Sequence, residues 1–241
     1  MRKRNMQSPA LYLPLRHNME AMQGSDADMS YRYNNGAGTP IFTSKYGGIE
    51  RRMQGLVWDD ATKEFHVLFN PCSLININPR EITLAWWHCP AYAGDDGVDK
   101  LYVVITPYNA NPSSYLSIQS TGGKLQAEMS NDGEGVTGGM AQANIPAWPA
   151  YQAQMISVVW SLNAIKLFVN GDLLAEDTSV FGGGGSAVAP VLFFGSLHAY
   201  LGMWKTPTGL TGDLMVWDKA YHNEMWHKAL YERTKGLHGK A

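Results

Sequence analysis

The chain has 241 residues, 45% of them hydrophobic and 17% charged, with a formal charge of −2. This length suits one large all-β or α/β domain, or two small ones, and buries a sizeable core without staples. The composition excludes a disordered tail, a coiled coil and a disulfide-rich miniprotein. The near-neutral charge gives no general field to draw nucleic acid or an acidic membrane.

Residues 1–9 form a basic arm with Arg2, Lys3 and Arg4. No apolar core of a secretion signal follows them, and no apolar run reaches the ~18 residues of a membrane helix. The expectation is a protein made in a host cytoplasm. The two cysteines, Cys72 and Cys89, lack metal-ligand spacing and read as buried thiols.

Short β-rich runs broken by Gly, Pro, Asn and Asp follow one another along the chain, the pattern of a sandwich or barrel. The first is 11–15, placed at an edge or bulge by Pro14. A loop rich in Asp, Asn and Gly is expected over 24–40. Strands are expected at 54–58, 65–69, 82–88 and 101–106. A hairpin follows, 115–118 returning over 124–129 through Gly122-Gly123. Strand 155–160 precedes a second hairpin, 165–169 returning over 172–175 through Asn170-Gly171, the dipeptide best suited to a type I′ turn. Strands 190–195 and 210–217 close the series. The four glycines of 182–185 read as a flexible loop. The one helix is expected at 223–233, with Asn223 as N-cap and Gly236 as stop.

Hydrolytic chemistry finds no foothold. A glycosidase needs two carboxylates ~5–9 Å apart on one face. The nearest acidic cluster, Glu128, Asp132 and Glu134, lies in an Asn/Gly-dense stretch and reads as a solvated loop tip. Asp213 and Asp218 have odd spacing, which sends them to opposite faces of a regular strand. There is no G-x-S-x-G elbow and no H-E-x-x-H. His88 beside Cys89 points the opposite way on a strand. The chain is expected not to be an enzyme.

Binding is the better prospect. The acidic loops Asp26/Asp28 and Asp95/Asp96/Asp99 are possible calcium ligands but lack the D-x-[DN]-x-[DN]-G pattern; no cofactor is expected. Tyr92, Tyr108 and Trp148 are candidate sugar-stacking aromatics in expected loops, with Tyr115 and Tyr151 nearby. Trp86 and Trp87 are neighbours, so alternation turns one of them outward onto a groove, a loop or a partner. Residues 200–204 read as an apolar loop. Tyr200, Leu201, Met203 and Trp204, together with Arg2, Lys3 and Arg4, are therefore candidate contacts to a partner.

A resemblance rests on particular blocks. The stretch M-I-S-V-V-W-S-L-N-A-I-K-L-F-V-N-G-D-L-L-A-E-D over 155–177, L-F-F-G-S over 192–196, L-T-G-D-L-M-V-W-D-K-A-Y over 210–221 and N-E-M-W over 223–226 resemble laminin-G-like and pentraxin-like jelly rolls of the concanavalin A-like superfamily. The order of these blocks is more specific than any one of them. The resemblance implies an all-β, two-sheet antiparallel jelly-roll sandwich with one short C-terminal helix. It spans 10–235, between the basic arm 1–9 and a tail over 236–241. It implies glycan, protein or calcium binding, or a plain building block. The opening A-L-Y-L-P-L-R over 10–16 is similar to structural proteins of tailed bacteriophages. The expected function is thus a non-catalytic structural or surface-binding component of a virus particle, such as a capsid decoration, cement or fibre protein, that assembles as a homo-oligomer with other virion proteins. The alternatives are a carbohydrate-binding lectin module and, against the missing acid pair, a glycoside hydrolase.

Overall fold

The structure is a computed structural model. It describes residues 6–9, 11–14, 29–33, 42–46, 49–58, 65–69, 81–94, 96–107, 115–130, 137–161, 163–178, 199–203 and 209–239. Fifteen strands are described: β1 (Leu11–Leu13), β2 (Met29–Tyr33), β3 (Phe42–Tyr46), β4 (Ile49–Trp58), β5 (Phe65–Phe69), β6 (Glu81–Pro90), β7 (Lys100–Pro107), β8 (Tyr115–Thr121), β9 (Lys124–Ser130), β10 (Thr137–Asn144), β11 (Gln154–Ser161), β12 (Ile165–Val169), β13 (Asp172–Asp177), β14 (Ala199–Met203) and β15 (Gly209–Trp217). Helix α1 (Glu224–Thr234) and a 3-10 turn (Lys235–His238) follow.

The strands form two antiparallel sheets. The first runs β13-β12-β11-β6-β15-β4-β3, and the second β10-β9-β8-β7-β14-β5-β2. Strand β1 pairs with the later part of β15, through Leu11–Leu13 against Val216, Met215 and Leu214, while β4 pairs with Gly209 to Thr211. One edge of β15 is thus shared by two strands.

The inner faces of the sheets enclose the main core, including Leu84, Trp86, Ile118, Val158, Leu167 and Val216. A second apolar cluster lies on the other face of the first sheet, built from Ala85, Trp87, Met155, Met215, Trp217 and Leu230 of α1. Both faces of β6 and β11 are therefore covered, which explains why these strands are buried at nearly every position rather than alternating between buried and exposed. Trp86 and Trp87 are both fully buried. Trp87 does point away from the sandwich interior, but the chain's own C-terminal segment covers it. His238 stacks on it at 4.5 Å, Tyr231 at 5.7 Å, and its Nε1–H donates to Thr234 Oγ1 at 3.0 Å.

The 165–175 hairpin turns at Asn170-Gly171, with φ of 54° and 86°. The Asn170 carboxamide closes the turn onto β11, accepting from the Met155 N–H at 3.0 Å and donating to Gln154 Oε1 at 2.6 Å. Asn223 caps α1 by accepting from the Met225 N–H at 2.9 Å. His227 and Leu230 are the buried residues of α1, whereas Met225 is 74% exposed. Gly236 is not the stop. The chain continues through the 3-10 turn to Gly239, which takes the left-handed conformation at φ 73°.

Other expectations need correction. The stretch over 24–40 contains β2, paired with β5. Strand β10 has a composition of Gly, Ala and Asn that argues against a strand, and it exists because it pairs along β9. Glu128 lies within β9, 8% exposed, and not at a loop tip. Strand 190–195, the glycine run, Cys72, Asp132 and Glu134 lie outside the described residues.

Candidate functional site at the sandwich rim

Two connections meet at one end of the sandwich. The β6–β7 connection spans 91–99 and the β10–β11 connection spans 145–153. Pro90 ends β6 there, and the run Pro146-Ala147-Trp148-Pro149 cannot continue a ladder for want of proline N–H groups. The connections are stitched to each other by backbone. The Gly94 N–H donates to the Trp148 carbonyl at 3.0 Å, and the Tyr151 N–H donates to the Pro90 carbonyl at 2.6 Å. Gly94 sits so close that a side chain there would run into the Pro146 carbonyl and the Trp148 ring.

Beneath the rim lies a polar chain of rings. His88, on the inner face of β6, places Nε2 3.2 Å from the Tyr92 hydroxyl. That hydroxyl donates to the Tyr102 hydroxyl at 3.2 Å. Burial pushes the imidazole down to about 3, so it is neutral at physiological pH. Burial likewise raises both phenols, Tyr92 well above its ordinary value, so each remains an O–H. The Lys100 ammonium lies 4.1 Å from the Tyr92 ring centre, pairs with Asp96 and donates to the Val98 carbonyl at 2.9 Å. One face of Tyr92 is therefore covered by a cation that is already paired. Asp96 also accepts from the Val98 N–H at 3.1 Å, and Asp99 accepts from the Gly122 N–H at 2.9 Å.

Tyr151 joins the same rim through its N–H bond to the Pro90 carbonyl. It is 41% exposed, and its φ is 63°, one of two positive values among described non-glycine residues. A bulky aromatic in that region is strained, and such strain concentrates at functional sites. The other, Asn170, has a structural reason in its hairpin turn. Tyr151 bonds the Pro90 carbonyl through its N–H and leaves part of its side chain exposed at the rim.

The structure brings Tyr92 and Trp148 of the sugar-binding candidates to this rim, in different roles. Tyr92 is half-buried. Trp148, expected to be held outward by its flanking prolines, is 4% exposed and joins the main core. Gly94 fits against the Trp148 ring, so burying the indole gains more than exposing it. Tyr108 lies outside the described residues.

Of the partner-contact candidates, Tyr200, Leu201 and Met203 belong to strand β14 and not to a loop. Tyr200 and Leu201 pair with β5 on one side and β7 on the other, and Met203 pairs with β5, so they belong to a ladder rather than a free loop. Trp204, Arg2, Lys3 and Arg4 lie outside the described residues, as do Asp26, Asp28 and Asp95. No group of three or more His, Cys, Asp or Glu fit to hold a metal occurs among the described residues.

Two buried polar pairs escaped the sequence reading because their members lie far apart in the chain. Ser157 Oγ lies 2.8 Å from His227 Nδ1, and His227 Nε2 lies 2.7 Å from the Tyr221 carbonyl. Both residues are fully buried and Phe168 stacks on the imidazole at 3.7 Å, so this is a packing contact and not an accessible nucleophile and base. Asp213 sits where the register of β15 against β6 shifts. The shift defeats the alternation that would place it by counting. Its carboxylate receives the Tyr12 hydroxyl at 2.9 Å and lies 3.1 Å from His238 Nε2.

No protein-family model matches this sequence, and no curated protein matches it. Solved structures do. The binding domain of botulinum neurotoxin serotype D matches with TM-score 0.65 and 10% identity over 94% of this chain and 51% of that one. The botulinum neurotoxin type G receptor-binding domain matches with TM-score 0.58 and 11% identity over 95% of this chain and 52% of that one. The chain thus spans about half the length of these toxin domains. Domain 4 of an extracellular GH43 arabinanase from Geobacillus stearothermophilus, in complex with arabinotriose, matches with TM-score 0.61 and 14% identity over 93% of this chain and 98% of that one. At these identities the likeness is one of fold: the chain is a two-sheet antiparallel β-sandwich with a short C-terminal helix.

Proposed function

We propose that this chain is a non-catalytic carbohydrate-binding module and that its ligand stacks on Tyr151 at the rim formed by 91–99 and 145–153. The observation that carries the reading is the partly exposed Tyr151, held in a strained left-handed backbone and tied to the Tyr92-bearing connection through its N–H bond to the Pro90 carbonyl. An aromatic face offers apolar area to the C–H face of a sugar ring, and polar groups around it meet the hydroxyls. The arabinotriose complex supports the reading, since that domain matches this chain over nearly the whole length of both.

The virion expectation gains no support from the compared structures, which are a carbohydrate-bound domain and toxin binding domains. Titration calorimetry against a panel of plant, fungal and bacterial oligosaccharides tests the proposal. Saturable binding by the intact chain and its loss in Tyr151→Ala are expected. A panel with no binder, or binding indifferent to Tyr151, overturns it.

A further inference from the structure

A buried cation organises the first of the two rim connections. Lys100 opens β7, and its side chain is 8% exposed. An ammonium taken out of water needs partners for its charge and for its N–H donors. The partners described here come from the connection that precedes it. The ammonium pairs with Asp96, donates to the Val98 carbonyl at 2.9 Å and lies over the Tyr92 ring, 4.1 Å from its centre. The Asp96 carboxylate in turn accepts from the Val98 N–H at 3.1 Å, so the connection is folded around the Lys100 head group. Tyr92 carries this order to the second connection. Its ring is held by Lys100 and its hydroxyl by His88 and Tyr102, each at 3.2 Å. In the chain it lies between Pro90 and Gly94, the two residues whose backbone bonds Tyr151 and Trp148.

We infer that Lys100 is a positioning residue for the glycan site. It acts through Tyr92 and not on the sugar: it holds 91–99 and, through the Pro90–Tyr151 and Gly94–Trp148 bonds, 145–153 in the arrangement that binds. The inference rests on the glycan-binding reading above. A rim ordered before the ligand arrives loses less conformational freedom on binding, which raises affinity. Without the ammonium, Asp96 loses its ion-pair partner, the Val98 carbonyl loses a donor and Tyr92 loses the cation on its ring face. The sheet beneath keeps its ladder, because β7 pairs with β8 through backbone. The loosening is therefore confined to the rim.

The test is Lys100→Met, which keeps the buried stem and removes the ammonium, with Lys100→Arg as the conservative variant. Hydrogen exchange on the intact chain is expected to accelerate in peptides covering 91–99 and 145–153 while β8, β9 and β11 stay protected. Calorimetry with an oligosaccharide that the wild-type chain binds is expected to show Lys100→Met weaker by about tenfold, the loss carried by unfavourable entropy, and Lys100→Arg recovering most of it. Asp96→Asn serves where Lys100→Met does not fold. It keeps the size of the side chain and the bond from the Val98 N–H, removes the ion pair, and is expected to weaken binding several-fold. Wild-type affinity in the folded variant, or exchange that accelerates in 91–99 alone, overturns this inference and leaves the glycan-binding reading standing. Exchange that accelerates throughout the sheets gives Lys100 a general structural role and overturns it as well. A wild-type chain that binds no member of the panel overturns both.

Discussion

Gly171 lies directly against Lys228. A β-carbon on Gly171 would fall 2.7 Å from the Lys228 Cα and 3.0 Å from the His227 carbonyl oxygen. The hairpin turn and the helix therefore touch backbone to backbone, and the Lys228 ammonium crosses the contact to Asp172 at 2.7 Å.

Gly171→Ala is expected to destabilise the fold by about 2–4 kcal/mol, because it combines a positive φ of 86° with backbone overlap that no rotamer relieves. Lys228→Ala is expected to cost under about 1 kcal/mol, since its ion pair is exposed. Urea denaturation of both variants measures the difference. Equal midpoints would show that the ion pair and not the backbone contact holds the turn to the helix.

Stability is expected to fall with acid through the two deeply buried imidazoles. His88 is held down to about 3 and His227 to about 4, both chiefly by burial, against 6.5 when exposed. Between those values the unfolded chain binds more protons than the folded one, so unfolding free energy rises with pH across the window. The stabilisation is complete above about 6.5 and is lost as pH falls through the folded values. The slope is about 1.4 kcal/mol per pH unit per group. Urea midpoints between about pH 7 and pH 4 follow the loss. His227→Gln retains hydrogen-bonding groups without titrating and should halve the slope.

Tyr151→Gly is expected to raise the thermal midpoint modestly, by relieving a strain of about 1 kcal/mol, while abolishing glycan binding. Calorimetry and a melting curve on the same sample read both effects. A destabilised Tyr151→Gly would show that packing of the ring, and not ligand recognition, maintains its backbone.

Asp213→Ala is expected to loosen both ends of the chain together. Its carboxylate holds Tyr12 of β1 and His238 of the last turn, and its burial leaves those groups without water as a substitute. Losing a buried acceptor for two groups costs on the order of 2–4 kcal/mol. Hydrogen exchange should accelerate in peptides covering 6–14 and 235–239 while β11 stays protected.

The sequence determined the hairpins, the helix cap and the fold class. Those features depend on neighbours in the chain: positive φ at Asn170-Gly171, an Asn223 carboxamide within reach of the helix start, and apolar runs between breakers. Aromatic candidates at the rim were also legible as types, since Tyr92, Trp148 and Tyr151 lie between strand-length runs. Tertiary structure alone decided which of them is presented. Trp148 faces the core because Gly94, in a different connection, leaves room for its ring, while Tyr151 is turned outward by a backbone conformation no residue pattern announces. Strand β10 followed the same rule: its Gly, Ala and Asn are poor strand formers, and the β9 ladder supplied the hydrogen bonds that made it a strand, as the β5 and β7 ladders did for β14. The Asp213–Tyr12–His238 and Ser157–His227 contacts join residues separated by 25 to 201 and by 70 positions, so only the pairing of sheets and helix brings them together.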